Sequence, residues 1–163
     1  MKRKNSNAVK PESTILQDNQ IFKIYNKLNL VLLRKNRVKS FVVAVSGGPD
    51  SMALAYLANL LAIKKKQKAF FVLVDHGIRK NSQKEALKVK KLLKQKGINL
   101  KILKNKTKIL KNIQKNARDV RYEILTNFCK KNRIKFLLTA HHIDDQVETF
   151  LIRLSRGSGI EGL

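Results

Sequence analysis

A chain of 163 residues, 43% of them hydrophobic, is long enough for one domain with a buried core and too apolar for disorder to be the default. Lys and Arg number 36 against 11 Asp and Glu, a formal charge of +25 spread along the chain, which makes a polyanion the expected partner, nucleic acid first. The single cysteine, Cys129, rules out an internal disulfide, a CxxC pair or an iron–sulfur cluster, and no apolar run reaches membrane-spanning length. A reducing, cytoplasmic setting is therefore expected, with a plastid as the alternative.

Residues 1–14 are polar and predict a tail. Ile21, Ile24, Tyr25, Leu28, Val31 and Leu32 recur at helical spacing within a predicted helix from Ile15 to Leu33. Phe41 to Val45 reads as a strand, and Met52 to Ile63 as a helix apolar on most sides, as close packing on a sheet requires. After the charge run Lys64 to Lys68, a second strand covers Ala69 to Val74 and stops at Asp75-His76-Gly77. Ser82, with Glu85 three residues on, predicts a capping box for a helix that runs to about Lys96 and ends at Gly97. A short strand over Asn99 to Leu103, a helix from about Leu110 to Lys131, and a strand over Lys135 to Thr139 follow. The last predicted helix runs from about Ile143 to Ser155, before Gly157-Ser158-Gly159. Cys129 falls within a helix and reads as a buried apolar filler.

Strands alternating with helices predict an α/β fold, an open doubly wound parallel sheet of the Rossmann-like, adenine nucleotide alpha hydrolase type. Residues 1–37 are expected to form an N-terminal extension and helix, and residues 38–163 the domain itself, incomplete at its C-terminus. Ligands in such sheets bind beyond the carboxyl ends of the strands. Three chemistry-bearing segments meet there: the turn after the first strand, Asp75-His76 after the second, and His141-His142 after the fourth.

The turn is Ser46-Gly47-Gly48-Pro49-Asp50-Ser51. Adjacent glycines permit positive φ and leave backbone N–H groups open to an anion, while Asp50 and Ser51 fall at the start of a helix whose dipole points the same way. No Gly-Lys-Ser/Thr follows, which excludes a Walker A loop, and G-x-G-x-x-G spacing is missing, which excludes a dinucleotide fingerprint. In the segment from Thr139 to Thr149, Asp144 and Glu148 stand four apart and Asp145 and Glu148 three apart, so either pair can project from neighbouring turns. These carboxylates suit Mg²⁺ with phosphate oxygens better than a transition metal, since no third histidine or cysteine ligand accompanies His141 and His142. Capping of the helix dipole is the competing role for Asp144 and Asp145. The histidines are open to phosphate contact, acid–base work or packing. Gln114, Arg118 and Arg121 form a stripe at helical spacing, suited to phosphate or simply to solvent.

Taken together, these segments resemble the N-terminal catalytic domain of the tRNA(Ile)-lysidine synthetases, within the ATP pyrophosphatase (PP-loop) superfamily. The resemblance covers about Val38 to Leu163. It rests on the glycine turn, on Val74-Asp75-His76-Gly77-Ile78-Arg79, and on Gln114 through Ala117-Arg118 to Arg121-Tyr122. Most specific are the block from Ala140-His141-His142 through Asp144-Asp145-Gln146-Val147-Glu148-Thr149 and then Arg156-Gly157-Ser158-Gly159. What it implies is a ligase acting in tRNA modification. ATP adenylylates C2 of the wobble cytidine of an isoleucine tRNA with a CAU anticodon, pyrophosphate leaves, and free L-lysine displaces AMP to give lysidine.

On that resemblance, Ser46, Gly47, Gly48, Pro49, Asp50, Ser51, Val74, Asp75 and Arg118 would bind ATP. Asp50, Asp144, Glu148 and His142 would be catalytic, with Asp50 and Asp144 toward Mg²⁺, and Arg121, Asp145 and Gly157 would contact substrate. A homodimer is among the assemblies it allows. The family continues well beyond the Arg156-Gly157-Ser158-Gly159 block, so the alternatives are an ATP- and RNA-binding fragment without turnover, or another ATP pyrophosphatase acting on tRNA. A cytidine-type thiolase, which would need CxxC pairs, is disfavoured by the single cysteine.

Overall fold

Side-chain alternation along two central strands decides what lies on each face of the sheet. In the computed structural model, which describes residues 16–33, 38–105 and 113–140, β1 (Ser40–Ala44) and β2 (Lys68–Asp75) pair in parallel, with Phe41 opposite Ala69 and Val43 opposite Phe71. Phe41, Val43, Val45, Phe71 and Leu73 point into one core, and Val42 and Val72 into another. The first core is roofed by α1 (Asn19–Leu33), α2 (Pro49–Lys65) and α3 (Ser82–Gln95), through residues such as Tyr25, Leu32, Leu61, Ala86 and Leu93. The second is closed by α4 (Ile113–Lys131) through Leu125, Phe128 and Cys129. Phe128 meets Phe70 edge-on, with ring centroids 6.1 Å apart.

With β3 (Leu100–Lys104) and β4 (Leu137–Leu138) added, the sheet runs β3-β2-β1-β4, all parallel, with helices on both faces, as the alternating pattern predicts. The order reverses at β1, whose neighbours are β2 on one side and β4 on the other. Five register pairs join β1 to β2, and two join β1 to β4. Helix α2 is apolar on most sides because it packs against both the sheet and α1.

The ends of the elements follow local hydrogen-bond chemistry. Asp18 Oδ1 accepts the N–H groups of Gln20 (2.8 Å) and Ile21 (3.1 Å), so α1 starts at Asn19 rather than at Ile15. Pro49 opens α2 three residues ahead of the predicted start, as its fixed φ and missing N–H allow. The capping box predicted at Ser82 and Glu85 does not form. Asn81 precedes the helix without a side-chain cap, the Asn81 carbonyl accepts the Glu85 N–H at 2.9 Å, and the Ser82 N–H turns back to the Arg79 carbonyl at 3.0 Å. Gly97 ends α3 with φ +74°, and the Ile98 N–H returns to the Leu93 carbonyl at 2.9 Å. Cys129 is buried in α4, where burial pushes its thiol pKa up and keeps it protonated. The predicted helix from about Ile143 to Ser155 and the glycines at 157 and 159 lie outside the described residues.

Candidate functional site

The turn between β1 and α2 is organised around one hydroxyl. Ser51, 5% exposed, donates its O–H to the Gly48 carbonyl at 2.9 Å. Its Oγ also accepts the N–H groups of Ser46 (3.1 Å) and Gly47 (3.2 Å) and the Ser46 hydroxyl (3.0 Å). Ser51 is thus the brace that curls the turn over the start of α2. The two glycines do different jobs. Gly47 sits at φ +91°, and a Cβ there would lie 2.8 Å from Val89 Cγ2 on α3. Gly48 has an extended backbone at φ −71° and ψ 160°, and the nearest atom to a Cβ there is Ser46 Oγ at 3.7 Å. Gly47 is required by conformation and contact; Gly48 would tolerate a Cβ sterically and sits at the helix start, where N–H groups without intrahelical partners attract anions. Ser51→Ala removes the acceptor for two backbone N–H groups, and the expected result is a loss of about 1–2 kcal/mol in urea denaturation, the mark of a few part-buried hydrogen bonds.

Beyond the carboxyl ends of β1 and β2 lies an open cleft of ≈ 560 Å³, a volume in the ordinary range for small-ligand sites. Ser46, Val74 and Asp75 supply its floor, Arg118 and Arg121 on α4 one wall, and Ser82 and Glu85 at the start of α3 another. A smaller recess continues from it toward β4, bounded by Ser46, Ser51, Arg121, Tyr122, Thr139 and Ala140. It lies at the reversal of strand order, where β1 separates the two halves of the sheet and crevices form in such folds. Asp75, 7% exposed, fixes the rim: its Oδ1 accepts the Gly77 N–H at 3.0 Å, and its carbonyl accepts the Asn105 N–H at 2.9 Å.

Of the residues singled out from sequence, Ser46, Ser51, Val74, Asp75, Arg118 and Arg121 meet around this cleft and its recess. Gly47, Gly48, Pro49 and Asp50 form the turn beside it, with Asp50 in the first turn of α2. Asp144, Asp145, Glu148, His142 and Gly157 lie outside the described residues. Among the described residues no group of three or more His, Cys, Asp or Glu side chains is placed to hold a metal ion, and no helix is long and apolar enough to cross a membrane. Asp50, a single carboxylate in the first turn of α2, has the chemistry that suits Mg²⁺, which takes one or two carboxylates and completes its shell with phosphate oxygens and water.

His76 is the cleft residue to which the sequence assigned no role. Arg121 Nε donates to its Nε2 at 3.4 Å across 45 positions of sequence, while its Nδ1 is buried without a partner among the described residues. Burial lowers the His76 pKa, the Arg121 cation lowers it further, and the Asp75 carboxylate opposes both. Its position at the carboxyl end of β2 was the available signal; its partner was not visible.

Residues 17–163 match a family model described as a PP-loop domain. The chain is 46% identical over 146 residues to a tRNA(Ile)-lysidine synthase of Wolbachia pipientis wMel, covering 83% of this chain and 34% of that protein. It is 42% identical over 142 residues to the tRNA(Ile)-lysidine synthase of Rickettsia typhi, covering 85% of this chain and 32% of that one. The chain therefore spans about a third of the length of these relatives. In three dimensions it resembles the U34-tRNA thiolase NcsA from Methanococcus maripaludis with a TM-score of 0.65 at 21% identity, covering 89% of this chain and 53% of that one; this is a likeness of fold.

Proposed function

We propose, from the premise that the chain belongs to the PP-loop domain family, that its cleft holds ATP and supports lysidine formation on a tRNA. Family membership implies ATP use, and homology to lysidine synthases implies tRNA modification as its setting. The observation that carries the finer reading is the meeting of a braced glycine turn, a helix start and two arginines around one cleft.

In this reading the triphosphate lies along the turn from Ser46 to Ser51, with Val74 and Asp75 bordering the adenosine. Arg118 and Arg121 offset phosphate charge, Arg121 also serving the substrate side. Asp50 would hold Mg²⁺ with phosphate oxygens, and the ion would supply charge neutralisation for departing pyrophosphate. The wobble cytidine's O2 bonds to the α-phosphorus as the bond to pyrophosphate breaks. The amine of free L-lysine then attacks C2, loses a proton, and AMP departs with the former O2. Asp144, Glu148 and His142 are assigned to lysine and its proton, with Asp144 also toward Mg²⁺, and Asp145 and Gly157 to substrate contact. A tRNA with a CAU anticodon is the proposed macromolecular substrate, and the surplus of positive charge suits it.

Thermal unfolding with and without Mg-ATP tests the nucleotide site directly. A ligand present at a hundred times its Kd stabilises by about 2.7 kcal/mol, equivalent to a midpoint rise of about 5–10 °C for a chain of this size. Asp50→Ala is expected to reduce that rise. A cooperative melt that Mg-ATP leaves unmoved would overturn the ATP site. Pyrophosphate release that requires both lysine and the CAU tRNA would support the full reaction; nucleotide binding without release would leave a binding module.

A further inference from the structure

We propose that His76 is a positioning residue: its neutral imidazole, protonated on Nδ1, accepts the Arg121 Nε–H and holds that guanidinium in the cleft for an anionic ligand. The inference rests on the ATP reading for the identity of that anion, and on the geometry for the pair itself. Arginine has donors and no acceptor, so a hydrogen bond from Arg121 Nε requires a lone pair on His76 Nε2. A neutral ring with its lone pair there must carry its proton on Nδ1, and that nitrogen is the buried atom without a partner among the described residues. An enclosed, unsatisfied N–H is an unusual feature in a folded protein and asks for a compensating role. Holding a cation at the mouth of a cleft is such a role. Through Nε, Arg121 is restrained at one edge of its planar fork, which leaves the terminal nitrogens for bidentate contact with phosphate.

The charged surroundings favour the neutral ring. Arg121 is in direct contact, Arg79 and Arg118 line the same cleft, and among the described residues the opposing carboxylates are Asp75 next in sequence and Glu85 across the cleft. Protonation would set an Nε2–H against the Arg121 Nε–H and open the pair. A packing histidine that merely fills space would depend on neither the tautomer nor the acceptor. That difference makes the proposal testable.

Two measurements on the full chain decide it. Nitrogen-15 NMR of histidine-labelled protein reads the tautomer of each of the 3 histidines, assigned by substitution. Nδ1–H on His76 is expected, whereas a proton on Nε2 at neutral pH would overturn the proposal whether or not the chain binds ATP. The second measurement is Mg-ATP titration of wild type, His76→Gln and His76→Leu. The glutamine amide oxygen stands close to where Nε2 stood and can accept; leucine cannot. His76→Leu is expected to raise Kd about tenfold, the loss of one hydrogen bond to a charged group, and His76→Gln to stay within about twofold of wild type. Equal weakening in both variants, or none in His76→Leu, would overturn the acceptor role. Should His76→Leu fail to fold, the tautomer decides. A wild type that binds no Mg-ATP would sink the nucleotide reading while leaving the His76–Arg121 pair to the NMR result.

Discussion

Gly47→Ala is expected to abolish the rise in melting midpoint that Mg-ATP produces and to destabilise the chain even without ligand. Two penalties act together. The residue sits at φ +91°, where an L side chain costs about 1–2 kcal/mol. The added Cβ would also fall 2.8 Å from Val89 Cγ2, a branched side chain anchored on α3 with little freedom to withdraw. Relieving that contact by moving the backbone costs about 1–3 kcal/mol more, typical of overpacking. The turn would have to lift from α3, pulling the Gly47 N–H away from Ser51 Oγ and with it the curl over the start of α2. Gly48→Ala is the matched control. Its backbone is already extended, and the nearest atom to a new methyl lies at 3.7 Å, so its urea midpoint should stay close to that of wild type. If phosphate approaches the turn closely, Gly48→Ala weakens Mg-ATP binding without loss of stability. Equal stability of the Gly47 and Gly48 variants would contradict the packing of the turn on α3.

Phe41→Ala is expected to give the largest purely structural loss. Phe41 is 0% exposed on the inner strand β1, within the core closed by α1, α2 and α3. Truncating a buried phenylalanine removes its transfer free energy and leaves a cavity, together about 3–5 kcal/mol. Domains of this kind have about 5–15 kcal/mol of total stability, so the variant should be marginal at 37 °C and show a large fall in urea midpoint. A loss below about 1 kcal/mol would mean that the sheet and its helices collapse freely around the gap, contrary to the close packing of a strand flanked by partners on both sides.

The α/β architecture was legible because its signals are local. Phe41 to Val45 and Ala69 to Val74 are short runs of strand-forming side chains separated by a helix-length apolar segment, and that order leaves few ways to arrange parallel strands. The turn from Ser46 to Ser51 was equally plain as a tight strand-to-helix connection, since residue type alone announces small, donor-rich backbone. The division of labour within it was hidden. Gly47 and Gly48 look alike in sequence, and what sets them apart is tertiary: Gly47 alone of the two takes a positive φ, +91°, and alone faces Val89, 42 positions away. At α3 the Ser82 and Glu85 pattern was present, yet the chain turns at Arg79 to Ser82 as it leaves the cleft rim, and that turn takes the Ser82 N–H. His76 shows the same limit: its hydrogen bond from Arg121 is a tertiary contact, and no window around Asp75-His76-Gly77 contains that partner.

The sheet's uneven stitching has a mechanical consequence. Beside β1, the β2 side is held by five register pairs and the β4 side by two, and the recess bounded by Ser46 and Thr139 straddles the thinner seam. A ligand seated there would act as a clasp between the two wings, adding bridges where the backbone ladder has fewest. Local opening is easiest where hydrogen bonds are sparse, so occupancy would tighten the seam between β1 and β4 as well as fill the recess above it.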